Sequence, residues 1–357
     1  MAQPAPAPPP ALLTAEAVST MLRMLLGRGP RSAEELAELR HHPDTAALRN
    51  TLLRGPEFTR LYRAATKQSA GYAMPLFMLA PPEDPKVPWC FQDPSLAEPV
   101  SQLCTAAQMQ EPAHQQWSRF TRSPPRPHRK QWEFSWILAA LNRAEMLRPG
   151  LSGLGFGVGR ERLPSALANL GHRIVASDAP PELAAVQGWA TTKQYSDSLE
   201  QLFKPELIDA ASFAERVTFR PVDMNAIPDE LRGFDYCWSA CALEHLGSLQ
   251  HGLDFVRNSL ETLRPGGLAL HTTEFNLGSN EQTLESRGLS LYRKRDIEAL
   301  ASRLVAEGHE VWPLNFHPGH ALGDVYIDTP PFSTPHVKLQ AAGHVVTSIG
   351  LAVRRRG

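Results

Sequence analysis

Residues 151–178 read LSGLGFGVGRERLPSALANLGHRIVASD: an apolar strand, a glycine-rich turn, a helix, a second apolar strand and a terminal acid. Gly155, Gly157 and Gly159 alternate behind Gly153, so the backbone can turn sharply past the strand end and offer bare N–H groups to a ligand. The pattern predicts a helix over residues 160–170, closed by Gly171 in a left-handed position, and a buried strand over residues 172–177. Asp178 then stands about 20 residues beyond the glycines, where a carboxylate can accept from two ribose hydroxyls.

The glycine spacing separates two ligand classes. A dinucleotide fingerprint needs a third small residue at the position held here by Arg160, which disfavours a dinucleotide oxidoreductase. Gly155-x-Gly157-x-Gly159 instead resembles the first motif of class I S-adenosylmethionine (SAM)-dependent methyltransferases. Downstream, a strand over 217–222 ends at Asp223-Met224, and a strand over 234–239 runs on through Ala240 to Leu246. The segment ending in Leu263-Arg264-Pro265-Gly266-Gly267 precedes a fifth strand at 268–273. A helix over 293–307, a strand over 310–316 and a final strand over 344–353 complete an alternating α/β pattern. Four motifs in register extend the resemblance across residues 130–355. It implies a Rossmann-like, doubly wound, seven-stranded sheet with six parallel strands and the last antiparallel. The phrases LGFGVGRERLP and DVYIDTPPF … TSIGL resemble a bacterial branch of these methyltransferases associated with polysaccharide genes.

The resemblance also assigns roles. Gly155, Phe156, Gly157 and Gly159 would cradle the cofactor, with Asp178 and Ala179 at its ribose. Asp223 would accept from the adenine amino group while Met224 covers the ring. Ser239 and Ala240 at the fourth strand end, and Trp132 with Glu133 on the preceding helix, would complete the contacts. His245, just beyond the fourth strand, is the leading general base and Glu244 its neighbour; the same position equally suits a hydrogen-bonded helix-start residue. His271 and Glu274 lie on the same rim. No ligand spacing demands a metal.

Composition bounds the remainder. The chain has 357 residues and a formal net charge of −1, so bulk charge does not favour nucleic acid as a partner. No apolar run reaches membrane-spanning length. Four cysteines are too few for a disulfide framework, which suits a cytoplasmic protein. Residues 1–11 read as a Pro-Ala tail, 12–65 as a helical module, 66–128 as an irregular cap and 129–357 as the SAM-dependent domain. Capping residues Thr14, Ser32 and Asp44 would open three helices in the module. Its text RMLLGRGP … LLRGPEF resembles helical segments attached to bacterial glycan-modifying enzymes, and a protein partner could dock there.

Residues 317–343 form a connection far longer than a hairpin needs. Alternation of Asp324, Tyr326 and Asp328 would set all three on one extended face, with His336 nearby, as a platform for a hydroxyl-rich acceptor. The expected function is methyl transfer to a small-molecule or glycan-linked acceptor, at oxygen. The alternative is a catalytically inactive SAM- or nucleotide-binding protein whose helices mediate interaction.

Overall fold

The computed structural model describes residues 12–58, 71–187 and 194–357. The chain divides into two compact units, residues 1–68 and 69–357. In the first, helices α1 (Ala15–Leu26), α2 (Ala33–Leu39) and α3 (Thr45–Arg54) start where Thr14, Ser32 and Asp44 accept from the N–H groups of Ala17, Glu35 and Ala47. Val18, Leu22, Leu26, Leu48 and Leu52 fall together as their core. The Arg28 guanidinium joins Glu35 and Glu57 at 2.8 and 2.7 Å.

The larger unit runs through β1 (Trp89–Cys90), β2 (Ser101–Gln102), α4 (Pro112–Phe120), α5 (Arg129–Arg143), β3 (Ser152–Phe156), α6 (Leu163–Asn169), β4 (Arg173–Asp178) and α7 (Pro181–Gln187). It continues with α8 (Ala210–Arg216), β5 (Val217–Pro221), β6 (Phe234–Ala240), α9 (Leu249–Ser259), β7 (Leu263–Asn276), α10 (Lys294–Ala306), β8 (Glu310–Val311) and β9 (Leu314–Asn315). The last elements are α11 (Leu322–Val325), β10 (Ile327–Asp328), β11 (Lys338–Ala341) and β12 (His344–Arg354).

Five strands pair in parallel in the order β5-β4-β3-β6-β7, a doubly wound arrangement. β12 lies antiparallel on β7 from Val346↔Asn276 to Arg354↔Leu268. Period-two alternation then divides the side chains between two faces. Tyr236, Trp238, Leu268 and Leu270 join a core with Trp136 of α5, Leu167 of α6 and Phe213 of α8. Leu154, Phe156, Cys237 and Ala269 join the opposite core, with Phe255 of α9 and Leu300 and Leu304 of α10. Helices therefore cover both faces, as the buried, near-continuously apolar parallel strands require.

The strand inventory differs from the seven expected. Among the described residues the sheet has nine strands, because β10 and β11 extend it beyond β12 while β8 pairs with the far end of β12. The expected strand at 310–316 is broken. β8 stays with β12, whereas β9 leaves to form a separate parallel sheet between β1 and β2. Pro313 sits at the break, and its missing N–H cannot support a continuous ladder. The helix after the glycine turn is also shorter, starting at Leu163 with Pro164 in its first turn.

The cap packs on the sheet. Leu96, Cys104, Met109 and Trp117 enter the first core. The indole N–H of Trp136 donates to Val100 O at 2.9 Å. Residues 317–343 are not a bare loop either, since they carry α11, β10 and β11. Among the described residues no helix is long and apolar enough to cross a membrane.

Candidate functional site

A cavity of about 380 Å³ opens at the carboxyl ends of β3, β4 and β6. Its floor is the glycine turn. Gly157 and Gly159 adopt φ of +57° and +51°, a region hostile to side chains. A Cβ on Gly157 would lie 2.8 Å from the Ala242 methyl, and one on Gly159 would lie 2.1 Å from Gln194 O. Gly155 has a packing role instead, because a Cβ there would strike Trp238 and Val158 at 2.5 Å.

β4 delivers Asp178 and Ala179 to one wall. Asp178 Oδ2 accepts from Gly159 N and Ser196 N, each at 3.1 Å, and Oδ1 accepts from Ala179 N at 2.8 Å. The carboxylate thus pins the glycine turn to the segment that follows α7. Burial raises its pKa above the ordinary aspartate value, against the opposing pull of those N–H groups. The Tyr195 hydroxyl closes the same wall by donating to Ala179 O at 3.0 Å.

The opposite wall is more apolar. Val222, Met224, Ala242 and Leu246 line it, with Asp223 and Asn225 at its edge. Asp223 Oδ1 accepts from Asn225 N at 2.9 Å, and Asn225 Nδ2 donates to Leu246 O at 3.2 Å. His245 lines the rim; its Nδ1–H donates to Gly288 O at 2.7 Å, which leaves the lone pair of the neutral ring on Nε2.

α5 contributes a charged end. Lys130, Glu133 and Phe134 line the cavity. Glu133 is fully buried, and its Oε1 accepts from the Cys241 thiol at 2.9 Å and the Ser348 hydroxyl at 2.6 Å. Burial opposes its charge, yet Lys130 and Arg129 with those two donors hold its pKa below the usual carboxylate range. Arg129 also donates to the Glu274 carboxylate. Cys241 lines the cavity at φ +48°, left-handed backbone where β6 gives way to the His245 turn. Burial pushes its thiol well above the usual value, with Glu133 and Glu244 adding to the shift, so it is no thiolate nucleophile. Glu161 faces the cavity beside them and accepts from Trp238 Nε1–H at 2.6 Å. Burial pushes its carboxyl up to about 8, with the charges of Asp178 and Glu133 contributing.

The sequence expectations therefore divide. Gly157, Gly159, Asp178, Ala179, Asp223, Met224, Ala240 and His245 converge on one cavity. Phe156 does not join them: strand alternation turns it to the other face, edge-on to Phe255 at 5.1 Å. Ser239 also turns inward, its hydroxyl 2.8 Å from His271 Nδ1. Trp132 is fully buried and stacks on Trp136, so its neighbours Lys130 and Glu133 face the cavity in its place. Glu244 is fully buried and accepts from Thr273 Oγ1 at 3.0 Å.

The expected acceptor platform is not presented as an open face. Asp324 lies in α11 at 1% exposure, paired with Lys338 Nζ at 3.0 Å. Asp328 is fully buried in β10, with His336 Nδ1 at 2.6 Å and Ser333 N donating to it. Tyr326 falls between these elements, half-buried. Residues that sequence reasoning passed over are Lys130, Glu161, Tyr195 and Cys241. Lys130 and Glu133 had a signal, being three apart and hence on one helix face.

No protein-family model and no curated protein matches the chain. Solved structures do align with it. The 1,6-didemethyltoxoflavin-N1-methyltransferase of Burkholderia thailandensis, with bound S-adenosylhomocysteine, is 18% identical, with 61% of this chain and 76% of that chain covered at a TM-score of 0.35. The magnesium protoporphyrin IX methyltransferase of Synechocystis PCC 6803 is 14% identical over 63% and 83% of the two chains, with a TM-score of 0.38. A SAM-dependent methyltransferase of Clostridium acetobutylicum ATCC 824 is 11% identical over 68% and 92%, with a TM-score of 0.37.

Proposed function

We propose that this protein is a SAM-dependent methyltransferase that methylates a small-molecule or glycan-linked acceptor at oxygen, in a cytoplasmic, polysaccharide-related setting. The observation that carries the reading is the positive-φ turn at Gly157 and Gly159, which floors a cavity walled by Asp178 on one side and Asp223-Met224 on the other. The residues fit the cofactor. Gly157 and Gly159 exclude a Cβ, so no side chain of the turn enters the cavity floor at either position, and the three N–H bonds to Asp178 still leave acceptor capacity on its carboxylate for ribose. Val222, Met224 and Leu246 offer an apolar slot for a purine, with the Asp223 carboxylate at its edge.

The cofactor supplies an activated methyl group; the chain's own task is to hold an acceptor oxygen in line with it and keep water out. A hydroxyl acceptor must shed a proton, and His245 Nε2 at the rim can hold it while Gly288 O fixes the ring. The residue 12–65 module is, in this reading, a docking appendage. Calorimetry tests the proposal: the full chain should bind SAM and S-adenosylhomocysteine at micromolar Kd, about −8 kcal/mol. An absence of heat with both ligands overturns it. Binding of both without methyl transfer to any hydroxyl acceptor in a screened panel would favour the catalytically inactive alternative.

A further inference from the structure

β1 and β9 pair in parallel, Trp89↔Leu314 and Cys90↔Asn315, so the chain leaving β1 and the chain leaving β9 run side by side. The first exit carries Asp93 and the second carries His317 and His320. Asp93 Oδ1 lies 3.0 Å from His320 Nδ1 and 3.6 Å from His317 Nδ1. Two contacts join the exits: Asn315 Nδ2 donates to Gln92 O at 2.9 Å, and the Phe91 ring packs against His317 at 4.8 Å.

The turn between the histidines is held from beneath. Buried Lys338 donates from Nζ to Pro318 O at 2.7 Å and to Asp324 at 3.0 Å. Gly319, at φ +77°, sits so close to this pair that a Cβ would meet Asp324 Oδ2 at 2.3 Å. The buried ion pair thus sets the turn that brings two imidazoles to one carboxylate.

We propose that Asp93, His317 and His320 bind a first-row divalent cation of the zinc type, with water in the fourth position. Donor atoms of the three residues all lie within 4.8 Å of one another. Bonds of the usual zinc length to a tetrahedral centre separate neighbouring donor atoms by about 3.3 Å, and the two measured separations of 3.0 and 3.6 Å bracket that edge. Two imidazoles with one carboxylate select zinc-like ions over magnesium or calcium, which prefer all-oxygen shells. His317 Nδ1 accepts from Gly319 N at 3.2 Å, a long bond that metal ligation there would replace. The side chains of Asp93 and His320 are largely exposed and can rotate onto an ion at little cost. Bound metal would clasp the cap to the 317–343 segment, with an open position facing solvent.

The test uses the untagged full chain, stripped with chelator and titrated with zinc chloride alone. One-to-one binding at micromolar Kd or tighter is expected, and cobalt(II) should give the intense visible bands of a four-coordinate site. Asp93→Ala and His320→Ala alter exposed side chains, so each should keep the native circular dichroism while weakening zinc at least tenfold. Absence of one-to-one binding overturns the proposal, as does unchanged affinity in His320→Ala. SAM affinity is measured alongside, so failure here is distinguishable from failure of the methyltransferase reading.

Discussion

Asp178 and Asp324 are both acids withdrawn from bulk water, and the molecule treats them in opposite ways. Among the described residues Asp178 has no cationic side chain as a hydrogen-bond partner; backbone N–H groups of Gly159, Ala179 and Ser196 hold it, and one side faces the cavity. Asp324 is matched with a cation, since Lys338 Nζ lies 3.0 Å away and both side chains are enclosed. A carboxylate held only by neutral dipoles keeps a raised pKa and capacity for a ligand's donors. One paired with a buried ammonium spends its charge on the fold. Acidic residues at loop ends thus acquire meaning from their partners rather than from their exposure to the chain's next turn.

The strongest way to break this contrast is to remove the cation. Lys338→Ala leaves Asp324 buried and unpaired, and loss of one member of a buried pair costs about 3–5 kcal/mol. Urea unfolding should show a large fall in the midpoint of the larger unit, while folded protein binds SAM with wild-type affinity. An unchanged midpoint would mean that the pair is not structural; a selective loss of SAM binding would place this region at the cofactor.

Gly159→Val acts on the other side of the comparison. The new Cβ would sit 2.1 Å from Gln194 O at φ +51°, a backbone strain of about 1–3 kcal/mol before any displacement of the cradle. SAM binding should disappear from calorimetry while far-ultraviolet circular dichroism persists. Asp178→Asn is milder. The amide offers one acceptor oxygen where the carboxylate used two, and its NH₂ would confront a backbone N–H. A loss of about 1–3 kcal/mol in SAM affinity is expected. Equal affinities in wild type and Asp178→Asn would leave Asp178 a mere loop pin.

Much of the parallel sheet was readable because its constraints are local. The positive φ at Gly157, Gly159 and Gly171 can be anticipated from glycine alone. Acids at strand ends, such as Asp178 and Asp223, follow from the α/β alternation that puts those ends on one rim. What failed was side-chain direction within a correct element. Phe156 and Ser239 lie beside cavity residues in sequence, yet each turns into the protein interior. Long-range partnership was equally invisible. Nothing near Asp324 announces that Lys338 will neutralise it, and the split of the 310–316 strand depends on β1 and β2 supplying a competing edge at β9. Glu161 was missed because the helix was expected to begin before it, whereas Pro164 delays that start and leaves Glu161 in the turn above Trp238.

Glu161 offers the smallest and most specific test, because its carboxyl is pushed up to about 8 from the ordinary 4.5, first by burial and then by Asp178 and Glu133. Between those two values the folded state holds a proton that the unfolded chain has released. Stability contributed by protonated Glu161 is therefore complete below about pH 4.5 and falls away as pH rises through 8. The side chain meets solvent at the cavity, so the loss should be of order 1–2 kcal/mol rather than the full value of the shift. Glu161→Gln keeps an acceptor oxygen for the Trp238 indole and removes the proton. Its stability should decline less than wild type between pH 5 and pH 8, the range between the ordinary carboxyl value and the raised one, and should exceed wild type at the upper end. Parallel stability curves for the two proteins would show that Glu161 is already ionised in the fold. The cavity would then hold Asp178, Glu133 and Glu161 all as anions, a charge more suited to a cationic ligand group than the mixed site described above.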